Sequence, residues 1–169
     1  MLKRSPYWLL LLALVAFAAC APPKPERSEL FVKLFGDESG DFRGIELGDP
    51  LTEVKEVEPG TPKTLDRFGY VYQLNLGEER YAMLEYMSKD QVETRIVNAI
   101  VINVFLKDEG ETSDIYKESE AFLRGQHGVP EGTFGSYEWQ NEDQEIVITL
   151  RLLDDKKSFS LNFAPAKGY

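Results

Sequence analysis

The sequence has one cysteine and one histidine in 169 residues. That count excludes a disulfide framework, a cysteine-rich zinc site and a multi-histidine metal centre. Basic residues are also scarce: 19 Lys and Arg against 29 Asp and Glu give a formal charge of −10. Affinity for nucleic acid comes from Lys and Arg displacing counterions, so no nucleic-acid partner is expected. Long hydrophobic runs are missing too. The apolar stretch from Tyr7 to Ala19 has 13 residues, short of the roughly 20 that a spanning helix needs. What remains, with 43% hydrophobic residues, suits one ordinary domain with a single core.

The most informative segment is the first. Lys3 and Arg4 precede the apolar stretch, which gives the charged n-region and short h-region of a secretory signal. The stretch ends in Phe17-Ala18-Ala19-Cys20, with small residues at the two positions before the only cysteine. This resembles the lipobox of bacterial envelope lipoproteins, departing from it at Phe17, where the family prefers Leu. The resemblance implies that residues 1–19 are a cleaved signal peptide, and that an acylated Cys20 holds the protein on a membrane. Ala21 is not the Asp that retains Gram-negative lipoproteins in the inner membrane, which implies the outer membrane, facing the periplasm. The alternative is an ordinary secretory signal whose cleavage site lies beside a cysteine.

Removing residues 1–19 leaves 150 residues and takes the formal charge from −10 to −12, because Lys3 and Arg4 leave with them. Such a domain is repelled by anionic head groups and stands off the bilayer. Ala21 to Ser28 (APPKPERS) holds three prolines and three charges, so residues 20–28 are expected to form an extended tether. Residues 29–169 then form the single domain.

Within it, Leu30 to Phe35 is an apolar run too short for periodicity to assign. Asp49 as N-cap and Pro50 at the first helical position predict a helix from Pro50 to about Glu58, with Leu51, Val54 and Val57 inward. Alternation predicts strands over Tyr70 to Leu76, Tyr81 to Met87 and Ile96 to Leu106. A second helix fits Asp114 to Gly125, capped by Thr112 or Ser113. Ser136 to Gln140, Ile146 to Leu152 and Phe159 to Phe163 complete a second set of three strands. The expected fold is α+β, an antiparallel sheet of about six strands in two helix-plus-three-strand units, with helices covering one face.

The phrase Phe42-Arg43-Gly44-Ile45-Glu46-Leu47-Gly48-Asp49-Pro50, followed by Val54, is similar to one that opens many small envelope lipoproteins. Leu123 to Pro130 (LRGQHGVP), followed by Trp139, is similar to a second such phrase. The duplicated helix and meander resembles the β-lactamase inhibitor protein and the small lipoprotein subunit of the outer-membrane β-barrel assembly machine. Over roughly Phe42 to Ala164, that resemblance implies a non-enzymatic module that binds an envelope protein through its exposed sheet face and loops.

Catalytic patterns are sparse. His127 sits between glycines after the second helix, where an imidazole can simply complement the helix end. No Gly-x-Ser-x-Gly elbow is present, and Ser136 lies in a strand. Counting a calcium loop from Asp37 puts Phe42 at the sixth position and Gly48 at the twelfth, so an EF-hand fails. Most of the acidic pairs, Asp154/Asp155 among them, fall in predicted turns. No metal site and no cofactor motif is expected. The aromatics Tyr70, Tyr72, Tyr81, Tyr86, Tyr137 and Trp139 concentrate in strands, and a one-sided sheet has to expose some of its residues. Tyr72, Tyr86 and Trp139 are the candidates for an interaction face. Two rival readings remain: a lipoprotein that binds a small ligand or peptidoglycan fragment between sheet and helices, and a small hydrolase that depends on His127.

Overall fold

A computed structural model of the chain describes residues 27–36, 40–65, 68–89, 95–141 and 145–166. The signal segment, Cys20, most of the tether, Asp37, the turn at Asp90 and the pair Glu142/Asp143 lie outside the described residues. The fold is α+β. Its elements run α1 (Glu29–Phe35), α2 (Val54–Val57), β1 (Thr64–Leu65), β2 (Gly69–Gly77), β3 (Arg80–Met87), β4 (Ala99–Phe105), α3 (Glu109–His127), β5 (Glu131–Thr133), β6 (Ser136–Asn141), β7 (Ile146–Leu152) and β8 (Ser158–Pro165). All strands join one antiparallel sheet in the order β1-β2-β3-β4-β8-β7-β6-β5.

That order is a duplication. Each half is a meander, and the last strands of the two halves, β4 and β8, pair along the middle with Ile102 opposite Leu161. Each meander has four strands rather than three. The added strands, β1 and β5, are two and three residues long, too short to show a period-two pattern. Edges this short offer few unpaired backbone groups to another chain.

The helices begin and end where local chemistry allows. The Leu30 to Phe35 run is helical because Ser28 caps it, its Oγ accepting the Phe31 N–H at 3.1 Å. The helix expected from Pro50 shrinks to Val54–Val57. Asp49 does not cap it: the Asp49 carboxylate accepts the Glu46 N–H, the Asp49 carbonyl accepts from Val97, and the Leu51 N–H donates to Arg95. Strand-like pairing with residues 95–97 therefore takes the backbone groups that the first helical turn would need. The long helix α3 starts five residues earlier than expected. Its cap is Asp108, which accepts the Glu111 N–H at 3.0 Å, while the Glu111 carboxylate reaches back to the Lys107 N–H. This is close to a capping box. Gly125 stays inside the helix, and Gly128, at φ 84°, ends it.

Strand register puts one parity of side chains on the helix side. One row runs Tyr72, Leu84, Ile102, Leu161, Leu150, Tyr137, and the next runs Tyr70, Tyr86, Ile100, Phe163, Ile148, Trp139. Helix α3 lies over the second half, with Tyr116 edge-on to Phe159 at 5.9 Å. Helix α1 meets α3 through an aromatic knot in which Phe31 stacks on Phe35 at 4.3 Å and Phe122 packs edge-on against both. Such pairs add about 0.5–1.5 kcal/mol each beyond their burial.

Arg27 and Ser28, assigned to the tether by composition, belong to the fold. The Arg27 guanidinium lies 4.6 Å from the Phe122 ring centre. The Ser28 N–H and Oγ donate to the two carboxylate oxygens of Glu118 at 2.7 and 2.6 Å. The chain is thus fastened to α3 before its first helix begins.

Candidate functional site

Tyr72, Tyr86 and Trp139 do not form an exposed face. They are 3%, 0% and 1% exposed, because each shares the parity of core residues: Tyr72 with Leu76, Tyr86 with Leu84, and Trp139 with Tyr137 beneath α3. Trp139 donates its indole N–H to the Gly128 carbonyl at 3.0 Å, which ties β6 to the end of α3. Tyr86 belongs to a buried polar group that the sequence did not announce. Its hydroxyl donates to Glu58 Oε1 at 2.5 Å, and Arg43 Nε donates to the same oxygen at 2.9 Å. Arg43 Nη1 also donates to the Lys33 carbonyl at 2.8 Å, so one guanidinium satisfies the end of α1 and balances Glu58 together. Burial, then the Glu58 carboxylate, push the Tyr86 phenol far above its ordinary range. The group joins α1, the turn at Arg43, the end of α2 and β3. It is a structural clasp with no open approach, since Glu58 is 3% exposed.

The spaces between helices and sheet are filled by Trp139, Tyr86, Tyr116, Phe31, Phe42 and Phe159, each under 2% exposed. That packing counts against a ligand held between the layers.

His127 is half-buried in the last turn of α3, where Asp41 interacts with it electrostatically. Burial lowers the His127 pKa and Asp41 partly opposes this. Asp41 is raised in turn by its own burial, against the Leu47 N–H, which donates to its Oδ2 at 2.8 Å. Among the described residues, no hydroxyl or thiol is hydrogen-bonded to the imidazole. A histidine whose folded pKa is depressed binds its proton first in the unfolded chain, so its contribution to stability is complete above the unfolded value and falls away as pH drops below about 6.5. His127→Gln should therefore lose less thermal stability than the wild type between pH 7.5 and 5.5, as measured by circular dichroism melts. An equal or larger loss would show that the imidazole is not the group responsible.

The acidic turns have ordinary work. Asp155 accepts the Lys157 and Ser158 N–H groups and the Ser158 hydroxyl, and these bonds, that of Ser158 foremost, lower its pKa. Among the described residues no three His, Cys, Asp or Glu side chains are placed to hold a metal ion.

The surface best suited to binding is the other parity. Tyr81, Met83 and Met87 of β3, with Val101 and Phe105 of β4, point away from the helices. Tyr81 stacks on Phe105 with ring centres 4.7 Å apart. Ser160, Thr149 and Arg151 continue the same face on β8 and β7. Glu85, Asn103, Gln73 and Asn75 lie among the apolar residues on the first half of this face. It is therefore a mixed surface with an apolar cluster at Tyr81, Met83 and Phe105, and aromatic and methionine side chains set among polar ones are common at interfaces. No family model matches the chain, and no curated protein or solved structure matches it. Among the described residues, no helix is long and apolar enough to cross a membrane.

Proposed function

We propose that the protein is a non-catalytic module of the bacterial envelope, anchored through an acylated Cys20, that binds another envelope protein on the open face of its sheet. The observation carrying this reading is the one-sided sheet. The helices pack on one parity of its residues, and the uncovered parity presents the stacked Tyr81 and Phe105 beside Met83 and Met87. Tyr81 and Met87 are 37% and 39% exposed and Met83 and Phe105 half-buried, and aromatics and adaptable methionines are the residue types that give interfaces their anchoring contacts. The lipobox-like Phe17-Ala18-Ala19-Cys20 supplies the address, on the outer membrane facing the periplasm by the residue that follows. The rival readings have less support, because the interlayer space is packed and, among the described residues, no hydroxyl or thiol is hydrogen-bonded to His127.

A photo-crosslinking amino acid at Met83 should give one reproducible adduct in intact cells of the native host. The same group at Lys117, exposed on α3, should not. Tyr81→Ala together with Met87→Asp, at the two exposed positions of the face, should abolish the interaction with the captured protein while costing no more stability than a lost aromatic pair, about 0.5–1.5 kcal/mol. Equal adducts from both positions, or adducts only with abundant lipoproteins, would refute the binding face.

A further inference from the structure

We infer that the protein bound by the open face brings a cationic side chain, for which arginine is the better fit, to Glu85. The inference rests on the proposed binding face and adds the chemistry of what binds there. Its basis is the setting of one carboxylate. Glu85 lies on β3 between Met83 and Met87, with Val71 directly opposite on β2 and Val101 directly opposite on β4. Opposed residues of neighbouring strands stand about 5 Å apart, and successive residues on one face of a strand about 7 Å apart. Four apolar side chains therefore frame the carboxyl group, which is half-buried. Among the described residues nothing neutralises it: no ion pair or hydrogen bond reaches the Glu85 carboxylate. Lys63, on the adjoining edge, gives its ammonium to Gln73 Oε1 at 2.9 Å. Arg151 of the same face is three strands away, about 14 Å. The row that crosses the sheet through Glu85 continues as Val101, Asn162, Thr149, Glu138 and Glu131, with three carboxylates and no base.

That setting decides what can cover the face. In the free protein the carboxylate is only half-buried, so water still solvates its charge. An apolar surface laid over Tyr81, Met83 and Met87 would strip that water and leave the charge unpaired, the most expensive way to bury it. A cation placed there by the partner reverses the balance, because the attraction strengthens as water leaves and the framing valines and methionines keep solvent out. A guanidinium fits better than an ammonium. Its planar fork takes both carboxylate oxygens, and it is less strongly hydrated. A second copy of this chain would instead bring the same acidic row, on a domain whose formal charge is −12 without residues 1–19. The occupant is therefore a different protein, with an arginine set among apolar residues.

The test starts from the protein captured by the photo-crosslinking amino acid at Met83 in cells of the native host. Purified, that protein should bind Glu85→Gln roughly thirtyfold or more weakly than the wild-type chain, the scale on which one member of a desolvated charge pair matters. Gln keeps the size of the side chain, and since the domain loses no bond of its own, the variant should melt no lower than the wild type. Replacing the partner arginine nearest the adduct with Met should give a similar loss, and the two changes together no greater one. A partner without a cation gives the opposite sign, because removing an unpaired carboxylate from the contact tightens binding. Equal or tighter binding by Glu85→Gln, losses that simply add, or an adduct with a second copy of the chain would each overturn the inference while leaving the binding face in place. Absence of any adduct at Met83 would overturn the binding face and the inference with it.

Discussion

Glu58→Ala is expected to destabilise the domain by about 3–5 kcal/mol, the range found when one partner of a buried ion pair is removed. The carboxylate is enclosed, with its side chain 1% accessible, and it meets two donors at once, Arg43 Nε and the Tyr86 hydroxyl. Its removal leaves a guanidinium only 14% accessible without its counter-charge, and a fully buried phenol with nothing to accept its proton. An orphaned buried donor alone costs about 1–3 kcal/mol. The loss also spreads, because Arg43 holds the last carbonyls of α1 through its other nitrogen. Tyr86→Phe should cost less, about 1.5–3 kcal/mol, since it removes one hydrogen bond to a charged group and leaves the ion pair intact. Urea titrations of the two single variants and the double variant form a cycle. A Glu58→Ala penalty below about 1 kcal/mol, the range of exposed pairs, would mean that the clasp does not hold the helices to the sheet.

Nothing near Glu58 in the sequence marks it as buried. It sits at the end of a short helix, before Pro59-Gly60, and looks like any acid beside a turn. Its partners lie 15 and 28 residues away, and a pairing set by tertiary contact leaves no local signature. Strand parity was different, because it is a local property. The alternation of Tyr70, Tyr72, Leu74 and Leu76 already puts Tyr72 on the leucine side, and Ala82, Leu84 and Tyr86 share a face by the same count. Residue type alone favours Tyr72, Tyr86 and Trp139 as interface residues, whereas periodicity favours Tyr81, two residues before Met83 on the opposite parity. The α+β class and the duplicated meander were legible because long strands carry many alternating positions. The edges and α2 were not, because β1, β5 and α2 have two, three and four residues. The start of α3 is ambiguous in the sequence because Thr112 and Ser113 are caps as good as Asp108, although the Asp-x-x-Glu spacing at Asp108 and Glu111 marks the observed start.

Under the proposed anchoring, Cys20→Ala should abolish incorporation of labelled fatty acid and move the protein from the membrane fraction to the soluble fraction. The expected shift is large, because each buried methylene contributes about 0.8 kcal/mol and more than one chain on the same residue makes release negligible. Once residues 1–19 are removed, nothing among the described residues would compensate. The domain without residues 1–19 carries a formal charge of −12, so an anionic lipid surface repels it. Among the described residues no helix offers an apolar span. A variant that keeps the cysteine but replaces Ala19 with Arg tests the processing step separately, since a large charged residue beside the cut should leave an uncleaved precursor of higher mass. The two variants fail differently. Fatty-acid label that persists in Cys20→Ala would refute lipidation at this residue. Label lost without release from the membrane would instead mean that the hydrophobic segment from Tyr7 to Ala19 stays in place as the anchor.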